Sequence, residues 1–205
     1  MQQTINEEFW NWSTHFIGII LSIVGIPILI TFNNFLTPYA LISILFFSFG
    51  LLFVYCSSTL YHYVEEKKLK EKLRVLDHIS IYYLIAGSYA PVCLITLYEG
   101  AGIKILSYII ALAVIGTLFK FFFTGRFDRL FLLLYLFMGW LIIIDFDSIL
   151  ALIPFNGIRL LVLSGVLYSI GTIFYSLQQV KYSHAIWHLF VLGGSASHYF
   201  VVLFY

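Results

Sequence analysis

Seven stretches of this chain are too long and too apolar to be covered by water. They run roughly over His15–Phe32, Pro38–His62, Val75–Leu97, Ile103–Phe123, Arg129–Phe146, Gly157–Leu177 and Ser183–Phe204. A helix that crosses a bilayer needs about 20 mostly apolar residues, and in lipid its backbone polar groups must be satisfied within the segment. Each stretch therefore reads as a spanning helix. The fifth is the weakest, because its strictly apolar part, Leu130–Ile144, is short. Turn residues separate several of the runs, at Asn33-Asn34, Glu99-Gly100, Thr124-Gly125 and Pro154 through Gly157. Only 10% of the 205 residues are charged, against about a quarter in soluble domains. The expected architecture is an all-α integral membrane protein, a seven-helix bundle forming one domain over residues 1–205. The loops are too short for a second domain.

Charge sets the orientation. Lys67, Lys68, Lys70, Lys72, Arg74, Lys120, Arg126, Arg129 and Lys181 fall on the side shared by the N-terminus and the loops after runs two, four and six. Lys104 and Arg159 fall on the other. The positive-inside rule then puts the N-terminus in the cytoplasm and the C-terminus outside, as in a multi-pass protein of the cell membrane. Val64–Arg74, with its mixed charges, reads as a solvated cytoplasmic loop. Glu7 and Glu8 stand where a cleavable signal peptide would be basic. Cys56 and Cys93 lie inside apolar runs and form no disulfide framework. No basic patch interleaved with aromatics suggests nucleic acid, and no soluble cofactor is implied. The oligomeric state is not readable.

The informative residues are polar groups at lipid depth. His184 and His188 are four apart in the last run, so on a helix they share a face one turn apart. An intramembrane histidine is costly unless it meets a partner or a cavity. The last run begins on the cytoplasmic side, so the pair lies within about 10 Å of the segment start. Run two ends on that side with Ser58 and His62, again four apart, and run three begins there with Asp77 as its third residue. A lone membrane histidine is more often a packing residue than a ligand. Three helices delivering Ser58, His62, Asp77, His184 and His188 to one depth is what favours a metal site. Three imidazoles with an open fourth position suit catalytic zinc, although iron or manganese could take the same donors. Zinc lowers the pKa of its water to about 7. Asp77 could itself be a ligand, but the preferred role is to orient and deprotonate that water, with Ser58 bonding to the water or to substrate. Asp77 could also simply pair with Arg74 at a helix start.

Other polar residues read as structural. His198 lies about 15 Å deeper than His188 and reads as a helix-to-helix hydrogen bonder. His78 points about 100° away from Asp77. Gly193 through Ser197 reads as a close-packing stripe, and Pro91 as a kink in the third run.

These residues resemble the hemolysin III branch of the progestin and adipoQ receptor family, seven-helix membrane proteins related to alkaline ceramidases. The likeness covers nearly the whole chain. It rests on Glu8-x2-Asn11-x3-His15, Ser58-x3-His62, Leu76-Asp77-His78, Gly87-Ser88-Tyr89-Ala90-Pro91 and His184-x3-His188 with His198. The resemblance implies a zinc site at Ser58, His62, Asp77, His184 and His188, just inside the cytoplasmic face. It also implies that Glu8 and Asn11 cap or brace the first helix nearby, with His15 as a structural residue or a further polar neighbour of the metal. The short N-terminal region departs from the animal receptors and argues against an adiponectin-type ligand.

Two functions follow as expectations. One is a zinc-dependent hydrolase of lipid amide or ester bonds, with membrane lipid as substrate. The other is a non-enzymatic regulator or sensor of membrane lipid state or energetics, with lipid as ligand. A pore ranks below both, because no row of polar residues at helical spacing lines a path across the membrane. A retinal protein is disfavoured because no lysine follows Lys181.

Overall fold

The computed structural model describes residues 3–177 and 179–205, and among them the regular structure is all helical. Its helices are α1 (Ile5–Thr31), α2 (Ala40–Tyr63), α3 (Lys67–Pro91), α4 (Gly102–Phe123), α5 (Asp128–Trp140), α6 (Phe146–Leu152), α7 (Phe155–Ser176) and α8 (Ser183–Phe204). A π-helical turn, Val92–Thr96, extends α3 past Pro91, where the expected kink falls, and a 3-10 turn, Leu141–Asp145, joins α5 to α6. Seven of the resulting segments are long and apolar enough to cross a membrane, the fifth running from Asp128 to Leu152. The protein is a multi-pass membrane protein.

Three boundaries differ from the sequence reading. α1 starts at Ile5 rather than His15, because Thr4 and Glu7 form a reciprocal capping box, which satisfies otherwise orphaned backbone donors. α3 starts at Lys67, not Val75, so most of the expected loop is helix. The Glu66 side chain accepts from the backbone N–H groups of Lys68 and Leu69, and the Lys-Lys-Leu-Lys-Glu-Lys-Leu stretch that follows consists of good helix formers. The fifth crossing outlasts its apolar run. The 3-10 turn lets the chain continue past Asp145 and Asp147, and Asp145 accepts from the Ser148 hydroxyl.

Buried packing decides which helices are central. In the third crossing 61% of the apolar window is buried in protein, against 22% in the fifth and sixth. α3 packs on α2 and α4, α1 on α2 and α8, and α7 on α8. The α2–α3 pair is close because both helices spend a glycine at the crossing. A Cβ at Gly50 would lie 2.7 Å from the Tyr83 carbonyl oxygen, and one at Gly87 would lie 2.9 Å from that of Phe46. Small residues of this kind are how membrane helices gain dispersion contact without a hydrophobic drive. The Gly193–Ser197 stripe does the same for α8. There the Gly194 carbonyl accepts from the Ser164 hydroxyl of α7, and Ser195 bonds to Tyr168. His198 Nε2 donates to the Ser88 carbonyl at 2.8 Å, joining α8 to α3.

Candidate metal centre

The N-termini of α1, α3 and α8 and the C-terminus of α2 meet at the end of the bundle that carries most of the lysines and arginines. There, one ring nitrogen from each of His62, His184 and His188 lies within 4.8 Å of the others. His62 Nε2 and His184 Nε2 are 3.1 Å apart. Two nitrogens on one tetrahedral ion, each at about 2.0–2.1 Å, would be separated by about 3.3 Å. The pair spacing therefore suits shared coordination, and the three-histidine group could hold a metal ion.

The outer contacts favour the same use. His62 Nδ1 donates to Glu8 Oε2 at 2.6 Å, and the other oxygen of Glu8 accepts from Lys70 Nζ at 2.7 Å. His188 Nδ1 donates to the Asn11 carbonyl at 3.0 Å, with Thr14 Oγ1 at 3.2 Å. In both rings Nδ1 carries the proton, which leaves Nε2 with a lone pair. A ligating histidine is ordinarily held this way by a carboxylate or carbonyl behind it. The cap of α1 is formed by Thr4 and Glu7; Asn11 Nδ2 braces the segment before it by donating to Gln3 Oε1 at 2.6 Å, while the Glu8 carboxylate and the Asn11 carbonyl hold two of the three histidines. His15 stacks on His188, with ring centroids 3.7 Å apart, and neither of its nitrogens has a hydrogen-bond partner among the described residues.

Ser58 and Asp77 line the wall of a cavity that also touches His15, His184 and His188. Asp77 is not part of the three-histidine group. Arg74 does not pair with Asp77 but with Asp128 on α5, at 3.6 Å. Ser58 Oγ is buried, lies beside Asp77, and makes no hydrogen bond within 3.5 Å to a described residue. The cavity has a volume of about 170 Å³ and is otherwise largely apolar. It runs from the histidines towards His198 and the 3-10 turn of the fifth crossing. Trp140, Ile143 and Val162 line it and are also 37%, 57% and 41% exposed, so it reaches the lipid-facing side between α5 and α7. Trp140 Nε1 donates to Ser169 Oγ across that gap at 2.9 Å.

The family pattern described as haemolysin-III related matches residues 3–199. The chain belongs to the haemolysin-III family. A hemolysin-3 homolog of Bacillus subtilis (strain 168) is 45% identical over 203 residues, 98% of this chain and 95% of its own length. Hemolysin-3 of Bacillus cereus is 42% identical over 206 residues, covering 100% and 94%. The human monocyte to macrophage differentiation factor is 28% identical over 208 residues, covering 97% and 84%. No solved structure matches the chain.

Sequence reasoning missed a second polar group beside the haemolysin-III histidines. Lys120 is 1% exposed, and its Nζ contacts His78 Nδ1 at 3.1 Å and Asp128 Oδ1 at 3.4 Å. The signal was present: Lys120 is a single charge among Leu118–Phe123. A lysine at the basic end of an apolar run ordinarily reaches solvent, which masks its burial in the sequence.

Proposed function

We propose that this haemolysin-III protein is a zinc-dependent hydrolase of amide or ester bonds in membrane lipids, acting at the cytoplasmic side of the bundle. The observation that carries the reading is the three-histidine group at the head of an apolar cavity that reaches the lipid-facing surface. His62, His184 and His188 would hold the ion, and Glu8 and the Asn11 carbonyl fix two of those rings. When bound, zinc polarises a carbonyl and acidifies water. Asp77 accepts the proton of the attacking water and holds it for the leaving group. The Ser58 hydroxyl, which lies beside Asp77, donates to the substrate oxygen or to that water. The apolar walls seat the acyl chain and keep bulk water from the reacting carbonyl.

A second reading is supported by the Glu8–Lys70 pair, which lies over His62 on the cytoplasmic side. Such a cover suits a structural metal in a non-enzymatic regulator of membrane lipid state or energetics. The relatives' names bear on neither reading: two say hemolysin-3 and one says monocyte to macrophage differentiation factor. Metal analysis of the purified protein, followed by a hydrolysis screen over ceramides and simpler lipid amides and esters, separates the two. On the hydrolase reading, wild type cleaves one class, and Asp77→Ala keeps its zinc but loses cleavage. Loss of zinc from Asp77→Ala would make Asp77 a ligand. Zinc-loaded wild type that cleaves nothing in the screen would leave the regulator.

A further inference from the structure

Lys120 makes His78 more than a packing residue. A lysine ammonium has three donors and no acceptor. At Lys120 one donor meets His78 Nδ1 at 3.1 Å and one meets Asp128 Oδ1 at 3.4 Å, while the Phe131 ring centroid lies 4.1 Å from Nζ. His78 Nδ1 must therefore accept, so the ring proton sits on Nε2. Asp128 is in turn paired with Arg74, and the Tyr135 hydroxyl donates to the His78 carbonyl at 2.8 Å, holding the backbone in place. His78 lines the same cavity as Asp77 and Ser58. Its Nε2 makes no hydrogen bond to any described residue, so the one donor whose identity Lys120 dictates is unpartnered on a side chain that lines the cavity.

We infer that His78 is a ligand-binding residue, donating from Nε2 to an acceptor oxygen of a lipid in the cavity, with Lys120 as the positioning residue that fixes its tautomer. The wall then offers a fixed donor at His78 in addition to the carboxylate at Asp77. The ligand class that fits is an acyl lipid with a carbonyl, carboxylate or hydroxyl oxygen close to the group presented to the histidines. The inference rests on the lipid-pocket part of the hydrolase reading and does not require cleavage.

The test uses the full-length protein in nanodiscs, with dodecanoate as the probe and ¹⁵N-histidine spectra as a second readout. Wild type should show His78 protonated at Nε2. His78→Phe should keep its metal content and bind dodecanoate about tenfold more weakly, the loss of one hydrogen bond to a charged partner. Lys120→Gln, whose amide can still donate to Nδ1, should retain the tautomer and most of the affinity. Lys120→Met should lose both; if it fails to fold, His78→Phe alone carries the test. Dodecanoate binding to folded His78→Phe within twofold of wild type would overturn the inference, as would a wild-type His78 protonated at Nδ1. Failure of wild type to hydrolyse any lipid would count against the hydrolase reading and leave these binding ratios to decide the role of His78.

Discussion

Glu8→Ala is the sharpest perturbation of the metal centre, because it touches no ligand atom. Glu8 Oε2 accepts from His62 Nδ1 at 2.6 Å and Oε1 accepts from Lys70 Nζ at 2.7 Å, and the Glu8 side chain is 22% exposed. Hydrogen bonds to charged groups contribute about 1.5–3 kcal/mol, equivalent to about tenfold to a hundredfold in a dissociation constant. Removing a carboxylate behind a ligating histidine costs about the same range. Water can reach a group that is partly exposed and replace some of the lost contact, so the lower end, about tenfold weaker zinc binding, is expected. Glu8→Gln keeps an oxygen acceptor but loses the charge, and should fall between wild type and Glu8→Ala. Lys70→Ala leaves the His62–Glu8 bond intact and removes a partly exposed ion pair, worth about 1 kcal/mol at most. Competition against a chelator of known affinity, in detergent at fixed pH and salt, reads all four proteins. Zinc affinity of Glu8→Ala within twofold of wild type would refute the orienting role. So would a larger loss in Lys70→Ala than in Glu8→Ala.

Two further outcomes follow from the same geometry. His188→Ala removes one of the three candidate donors and the ring on which His15 stacks, and should strip most bound zinc; full stoichiometry by elemental analysis would exclude His188 as a ligand. Gly50→Ala sets a Cβ 2.7 Å from the Tyr83 carbonyl oxygen and 3.1 Å from Leu84 Cα. Backbone cannot give way cheaply, so an overpacking cost of about 1–3 kcal/mol is expected, seen as a lower midpoint in detergent unfolding, and an unchanged midpoint would show that α2 and α3 separate freely.

The bundle was legible because lipid-length apolar runs have few alternatives. That Ser58, Asp77 and the three histidines share one end of the bundle was legible because each lies near a run's end on the basic side, where depth can be counted at a fixed rise per residue. Depth does not give azimuth, however. The count along the chain brought Asp77 and His62 to one level but could not say that Arg74 turns to Asp128. Nor could it find His78 and Lys120, which meet across α3 and α4 from two runs read separately. The helix starts were missed for a different reason. Hydropathy marks where lipid begins, whereas caps such as Thr4 and Glu66 mark where hydrogen bonding begins, and α1 and α3 both project past the apolar boundary. Glu8 and Asn11 lie in such a projecting turn, which is why their sequence motif was visible and their contacts were not.

That projecting turn of α1 gives the site its geometry. The three histidines come from α2 and α8, and α1 packs against both. Over two turns α1 reaches each of them: Glu8 to His62, the Asn11 carbonyl to His188, and Glu7 Oε1 to the backbone N–H of Tyr182 at 3.2 Å. Tyr182 sits at φ 60°, a left-handed conformation that costs a non-glycine residue about 1–3 kcal/mol and persists only where its surroundings hold it. It directly precedes α8, two residues before His184 and six before His188. A helix that contributes no candidate ligand therefore fixes the start of one ligand-bearing helix and the ring orientation of another. Metal affinity should accordingly depend on the first two turns of α1 as strongly as on the apolar core beneath them.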